Sequence, residues 1–535
     1  MTNLLSRGAT LIRLGLWSMV VCAAWAAISL VMEWYQFTQS MPDQGWNLQI
    51  ARLVGLVFLN LVFTALIAVV VILFLWVRLT GNLPDLQGWH LQYPESEFCA
   101  ADANDDYTLD DYLEQEQRVY NQLNALIVGT WAEQIDGDFC RFGSTSVSNP
   151  ETIVDRNWNR TYILNADKPI GGVLLLHGLS DSPYSLRALG QRLHAEGYTV
   201  IWLRIPGHGT CPAALANVSS EDWLAAVKFA MRGLRDQLPD GAPLILGGYS
   251  NGGALSVLYT LSAIDDVTLP KPKAIILFAP MIGINPMASI TRLYHMVALV
   301  SGNQKAQWSG ISAEIDPFRY SSWPMNASVQ AWLVTQAVER QLFKLQKSRR
   351  MHEMPPVLAM QSIVDSTVIV PKLITTLFDR LSSASSELFL FDINRMDRFL
   401  NLFNRSFEHT IFPKLQRTDM PFTLSVLKNA NPDSRRMLLQ TRKGESWTET
   451  MTDCSWPTGV ASLSHLAVPI PPEDLIYGTK EATATRGLPL GTLSMRAEPS
   501  SLLISNSLFY RCRNNPFYHL MEDHVVKWLS GRILE

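Results

Sequence analysis

The run GGYSNGG, residues 247–253, lies between an apolar stretch, 243–246, and a helix-like one, 254–261, so Gly248, Ser250 and Gly252 spell G-x-S-x-G where a strand hands over to a helix. A serine held at so sharp a turn adopts a strained backbone, and side chains two positions to either side collide with the adjoining strand and helix, so glycines belong there. The turn lifts the hydroxyl above the sheet edge, and the N-terminus of the following helix favours negative charge developing beside it. Such a junction commits the chain to a sheet whose strands feed helices. From Thr152 onward, short apolar runs alternate with helical ones: strands are expected at 172–176, 198–203, 243–246, 274–278 and 357–360, and helices near 185–196, 220–237 and 253–263. This pattern predicts an α/β fold, a mostly parallel sheet covered on both faces, with ligands at the carboxyl ends of the strands.

The N-terminus has another texture. Residues 11–32 are nearly all apolar, and 53–77 form a second such run interrupted only by residues such as Asn60 and Thr64. Each can cross a hydrocarbon layer of about 30 Å, so residues 1–80 are expected to be a membrane anchor of two transmembrane helices. Arg7 precedes the first span and Arg13 lies in its first turn, Arg78 follows the second, and the loop 36–49 has no lysine or arginine. The positive-inside rule then places both ends in the cytoplasm, as for a bacterial-type inner-membrane protein with its body on the cytoplasmic side. An A-x-A pattern at Ala24 and Ala26 permits signal cleavage, but the second span then stops transfer and leaves the body on the same side. The lipid bilayer is thus the first expected partner.

The 47% hydrophobic and 17% charged composition agrees with membrane attachment or a large core. A formal net charge of −4 with no long basic block argues against a nucleic-acid partner. The six cysteines, at 22, 99, 140, 211, 454 and 512, lack C-x-x-C or zinc-like spacing, which fits free thiols in a reducing compartment; Cys99 and Cys140 pair only if the orientation is reversed. Residues 81–151 read as a linker followed by a docking helix, with Leu109, Leu113, Val119, Leu123, Leu126 and Ile127 at near-helical spacing. Residues 152–535 form the body.

The strand GGVLLL runs into His177-Gly178-Leu179-Ser180-Asp181, and here the chain resembles the alpha/beta-hydrolase superfamily. The resemblance implies that the backbone N–H groups of Leu179 and Asn251 form an oxyanion hole, among the larger contributors to acyl-transfer catalysis. The next strand delivers Arg204-Ile205-Pro206-Gly207-His208-Gly209-Thr210, similar to the PGHG loop of monoglyceride-lipase, lysophospholipase and serine-aminopeptidase-like hydrolases. His177 and His208 are read as residues that order these loops.

Serine is a poor nucleophile at its own pKa, so Ser250 needs a base oriented by a carboxylate, and the family order puts the acid before the histidine. Strand 356–361 ends in Ser362-Ile363-Val364-Asp365-Ser366-Thr367-Val368, a D-x-x-V match that makes Asp365 the expected acid, with Asp392 in reserve. A glycine often found before the acid in relatives is replaced here by residues 360–362. Of the histidines after Asp365, His409 lies in a helix-like segment and His519 and His524 in a final amphipathic helix. His465 sits in Ser462-Leu463-Ser464-His465-Leu466, similar to the S-x-H that closes the triad, just before a proline-rich run. The hundred residues between Asp365 and His465 imply a further insertion over 379–456. Residues 281–354, with Trp308, Trp323 and Trp332, fall where relatives carry a cap over the active site.

The resemblance, from Thr152 to the C-terminus, implies a membrane-anchored serine hydrolase that cleaves lysophospholipid- or monoacylglycerol-like carboxylic esters through an acyl-enzyme on Ser250. It implies no metal and no organic cofactor. Aminopeptidase, thioesterase or acyltransferase chemistry uses the same triad, and a peptidase would employ Glu314 or Asp316 to hold an amine. A non-catalytic membrane scaffold is the reading from another class.

Overall fold

The computed structural model describes residues 46–533 apart from 104–105, 136, 138, 284–302, 397–405, 418, 480, 482–489 and 492–510, together with Trp25, Ile28, Ser29, Met32 and Tyr35. In chain order the strands are β1 (Tyr162–Leu164), β2 (Gly171–Leu176), β3 (Tyr198–Leu203), β4 (Leu244–Tyr249), β5 (Ala274–Phe278), β6 (Trp308–Gly310), β7 (Trp323–Pro324), β8 (Val357–Ser362), β9 (Glu387–Phe391), β10 (Thr423–Asn429), β11 (Arg436–Lys443) and β12 (Ser446–Ser455). Ten of them make one sheet in the order β1-β3-β2-β4-β5-β8-β9-β10-β11-β12, while β6 and β7 pair separately as a short hairpin.

From β3 across to β10 the neighbours run parallel; β1 at one end and β11 and β12 at the other are antiparallel. Every residue of β2, β3, β4 and β5 is buried, as expected for strands covered on both faces. Their two-residue period divides the side chains between two cores. Leu174, Leu176, Ile201, Leu203 and Leu246 enter one, and Val173, Leu175, Val200, Trp202 and Ile245 enter the other.

The first core is closed by α4 (Ser220–Asp236), α5 (Asn251–Asp265) and α6 (Met325–Lys347), through residues such as Trp223, Leu255 and Val334. The second is closed by α3 (Arg187–Ala195) and α7 (Tyr518–Ile533), through Leu189, Leu193, Val525 and Trp528. Helix α4 starts in a capping box: the Ser219 hydroxyl accepts from Asp222 N at 3.2 Å, and the Asp222 carboxylate accepts from Ser219 N at 2.7 Å.

Ahead of the body, α1 (Trp46–Thr80) contains Val54–Val71, long and apolar enough to cross a membrane. Most of the first expected span, 11–32, lies outside the described residues, but Ser29 is helical and its hydroxyl donates to Asn60 Oδ1 at 3.2 Å. The chain leaving α1 is tied to the segment before β6: Asn303 Nδ2 donates to Thr80 Oγ1 at 3.3 Å, and Lys305 Nζ reaches Leu83 O at 3.0 Å and Asp85 at 2.8 Å. Cys99 and Cys140 are free thiols.

Helix α2 (Leu109–Val128) buries Leu109, Val119 and Leu123, and its buried face carries a carboxylate as well as apolar side chains. Glu116 accepts from Arg204 Nε at 2.9 Å, and Glu97 holds the other end of that fully buried guanidinium with two bonds of 2.9 Å. The arginine of the PGHG loop is therefore neutralised from the linker side, which removes the cost of burying its charge alone. The segment 379–456, expected as an insertion, contributes four strands to the sheet: β9 continues the parallel array, and β10, β11 and β12 extend it.

Candidate active site

The serine stands at the end of β4. Ser250 has φ 53° and ψ −113°, a left-handed value that strains a residue bearing a Cβ. The turn is clamped from three sides: Ser250 N donates to Phe278 O at 2.9 Å, while Gly253 N and Met281 N donate to Ser250 O at 3.0 and 2.9 Å. The glycines have a steric cause. A Cβ on Gly248 would sit 2.3 Å from Gly252 O, and one on Gly252 would sit 2.1 Å from Leu176 O.

Across 215 residues of chain, His465 Nε2 lies 3.0 Å from Ser250 Oγ, and across 100 residues its Nδ1 lies 2.7 Å from Asp365 Oδ2. With Nδ1–H donating to the carboxylate, Nε2 presents its lone pair to the serine hydroxyl, the tautomer a general base requires. Asp365 Oδ1 accepts from Thr367 N at 2.8 Å and Val368 N at 3.1 Å, and Oδ2 also accepts from Gln361 Nε2 at 2.8 Å. Burial alone pushes this carboxyl up, but the charge and hydrogen bond of His465 and the two backbone amides outweigh it and hold the group below its ordinary value. It stays ionised at neutral pH.

The histidine loop is anchored along its length. Asn394, just past β9, donates its backbone N–H to Ala461 O at 2.8 Å and its amide to Val460 O at 3.0 Å. Ser362 Oγ donates to Leu463 O at 2.7 Å, and Ser464 Oγ donates to Cys512 O. Residues 360–362, where a glycine was expected, thus supply Gln361 to the acid and Ser362 to the histidine loop.

Asn251 opens α5, where an amide has no intrahelical acceptor, and Leu179 lies on the loop after β2 and lines the same cavity as Ser250. His177 is committed elsewhere: its Nε2 accepts from Ile205 N at 3.0 Å and its Nδ1 donates to Gly178 O at 2.9 Å. Burial, with His208 nearby, pushes its pKa well below the ordinary value, and burial pushes His208 down to about 4. The two rings meet edge-on at 4.9 Å and join the loops that follow β2 and β3.

The remaining candidates are engaged away from Ser250. Asp392 is paired with Arg395 at 2.7 and 3.0 Å. His519 is exposed beside Glu473 at 3.2 Å, His524 bonds Glu387 at 2.8 Å, and His409 is exposed in the short helix Ser406–Thr410.

The cavity over Ser250 has a volume of about 220 Å³, and its walls include Leu179, Tyr249, Met281, Trp323, Ala331 and Leu466. Trp323 and Ala331 come from the expected cap, as β7 and α6. Arg319 also lines it, paired with Asp181 at 3.1 Å. No motif marks this arginine, because its partner is 138 residues away. Glu314 and Asp316 do not line the cavity. Glu314 accepts from Ser321 N and Ser322 N at 3.0 and 2.8 Å, and Asp316 accepts from Tyr477 OH and pairs with Arg513 at 3.3 Å.

Residues 167–375 match the family model described as serine aminopeptidase, S33. The thermostable monoacylglycerol lipase of Bacillus sp. (strain H-257) is 34% identical over 86 residues, 16% of this chain; the chain thus spans a third of that relative's length. Among solved structures, the chain is similar to Paleococcus ferrophilus monoacylglycerol lipase, with 18% identity, TM-score 0.33 and coverage of 44% of this chain and 89% of that one. It is likewise similar to a soluble variant of monoglyceride lipase from Saccharomyces cerevisiae, with 18% identity, TM-score 0.34 and coverage of 43% and 81%. The family match begins just before β2 and ends beyond the Asp365 loop, so it encloses the elbow and both loops that flank it. Through this region the chain matches the serine aminopeptidase, S33 family model and is similar to a monoacylglycerol lipase.

Proposed function

We propose that this is a membrane-anchored esterase that cleaves lipid-like carboxylic esters through an acyl-enzyme on Ser250. His465, oriented by Asp365, takes the hydroxyl proton as Ser250 Oγ attacks the ester carbonyl, and the amides of Leu179 and Asn251 receive the oxyanion. Collapse expels the alcohol, which takes its proton from His465. Water activated by the same imidazole then releases the acid and regenerates the serine.

The observation that carries the proposal is the unbroken relay from Asp365 through His465 to Ser250, opening into a cavity walled by Leu179, Met281, Trp323 and Leu466. Such a wall suits an acyl chain. The peptidase alternative loses its amine-binding groups, since Glu314 and Asp316 are occupied by other partners outside the cavity. Val54–Val71 within α1, with the first expected span, tethers the body on the cytoplasmic face, where acyl esters are concentrated in the bilayer.

The test is fluorophosphonate labelling of wild type, Ser250→Ala, His465→Ala and His519→Ala, followed by turnover of monoacylglycerol, lysophospholipid and aminoacyl arylamides. Wild type and His519→Ala should label, and the other two should not. Hydrolysis of arylamides or short water-soluble esters, with no lipid ester consumed, overturns the substrate assignment.

A further inference from the structure

A second cavity, of about 420 Å³, lies between the β10–β11 surface and the short helix Phe412–Leu415, and of its lining only Ile363 falls within the family match. Its floor has an unusual composition. Leu424, Val426 and Lys428 alternate on one face of β10, and the register places Arg442 opposite Leu424 and Gln440 opposite Val426 on β11, with Trp447 opposite Arg442 on β12. A covered sheet face ordinarily continues in aliphatic residues, yet this one turns to lysine, glutamine and arginine.

The charges are unbalanced. Arg442 is only 4% exposed, and among the described residues it has no carboxylate partner: its Nη2 donates to Met420 Sδ at 3.2 Å, and its guanidinium lies 5.0 Å from the centre of the Trp447 ring. Burial, reinforced by the neighbouring Arg417, lowers its pKa. Arg417 is itself engaged by Asp379 and Asp419. Lys428 Nζ has the neutral Gln440 Oε1 at 3.0 Å. The one carboxylate in the lining, Asp392, is already held by Arg395, which also meets Glu408. Lys428, half-buried, and Arg442, buried, therefore face one cavity with no carboxylate paired to either among the described residues, and for the buried arginine that is costly. The remaining wall is apolar, from Ile363, Phe412 and Leu424.

We propose that this cavity is a binding site for a carboxylate-headed amphiphile, the acid on Arg442 and Lys428 and the acyl body along Ile363, Phe412 and Leu424. The choice of a carboxylate rests on the proposed esterase reading, whose product belongs to that class; the anion site itself does not. Its position links it to the relay. Ile363 is two residues from Asp365, and Arg395 follows Asn394, which carries the loop leading to His465.

The test titrates the full chain in phosphatidylcholine nanodiscs with octanoate, octyl phosphate, 1-octanol and inorganic phosphate, by calorimetry against empty nanodiscs. Octanoate should bind saturably and 1-octanol should not. Arg442→Gln should weaken octanoate about 10- to 100-fold, the range of a hydrogen bond to a charged group. Lys428→Gln, at a half-buried position that leaves the core intact, should weaken it in the same direction, and Ser250→Ala should bind as wild type. An unchanged affinity in both cation variants places octanoate elsewhere and overturns the site. Octyl phosphate binding without octanoate overturns the carboxylate assignment, and inorganic phosphate binding as tightly as either amphiphile overturns the apolar one. Because binding is read without turnover, failure of Ser250 to label leaves the measurement standing and counts against the esterase reading alone.

Discussion

Strands β2 to β5 and strands β10 to β12 share one sheet but meet water differently. The first group is buried at every position, whereas β12 is exposed over most of its length and β11 only half covered. In β2 to β5 the strands are almost wholly apolar, Thr199 being the exception, and the site's chemistry lies at their carboxyl ends, with Ser250 and the HG loop. The antiparallel part keeps one face loosely covered and can carry arginine and lysine within it. The triad bridges the two regimes: Asp365 follows β8 on the near side of the extension, and His465 returns from its far side.

The largest expected effect tests this division at its seam. Ser250→Ala and His465→Ala should each lower kcat by at least about 10⁴-fold with no change in melting temperature, and the double variant should lose little more, as for groups acting as one unit. Asp365→Asn should cost on the order of 10³ to 10⁴-fold. A larger loss from Asp392→Asn than from Asp365→Asn would move the acid onto β9 and break the comparison. Next in size is packing. Leu246→Ala, at a fully buried position of β4, should cost about 3.5 kcal/mol by denaturant unfolding, and Met451→Ala, on the exposed face of β12, less than about 0.5 kcal/mol. Equal costs would mean that the extension is as tightly packed as the parallel half.

Acid should then distinguish the linker junction from both. His90, buried between Gln87 N and Ser322 Oγ, has its pKa pushed down from 6.5 to about 4 by loss of water around its charged form. Between those values the unfolded chain binds the proton and the folded chain does not. The contribution is therefore complete above pH 6.5 and is lost as pH falls towards 4, by up to about 3 kcal/mol. Urea midpoints measured from pH 7 to 4 should fall less steeply for His90→Gln than for wild type, and parallel curves would show that this histidine is not a source of the acid sensitivity. The smallest effect is at a helix end: Ser219→Ala removes the α4 cap and should cost about 1 kcal/mol in the same assay.

Legibility followed the same division. The elbow could be read because its requirements are local: Gly248, Ser250 and Gly252 answer a steric problem within five residues. The strands β2 to β5 could be read because complete burial leaves a nearly continuous apolar run. The segment holding β10 to β12 was legible only as extra length between Asp365 and His465, because Lys428, Gln440 and Arg442 interrupt the period that marks a covered face. Gln361 and Ser362 read as a missing glycine, although they are hydrogen-bond donors to the acid and to the histidine loop. Partnerships such as Arg319 with Asp181, or Arg204 with Glu97 and Glu116, join distant parts of the chain and leave no periodic trace.

The 215-residue separation of Ser250 from His465 has a consequence for the order of events during synthesis. At about 5 to 20 residues per second, the ribosome adds the base on the order of ten to forty seconds after the nucleophile. Through that interval the apolar helix α1 and the elbow are already made, but the serine has no proton acceptor. The long route through β9 to β12 thus acts as a delay, and a nascent chain cannot activate Ser250 before the C-terminal loop has closed.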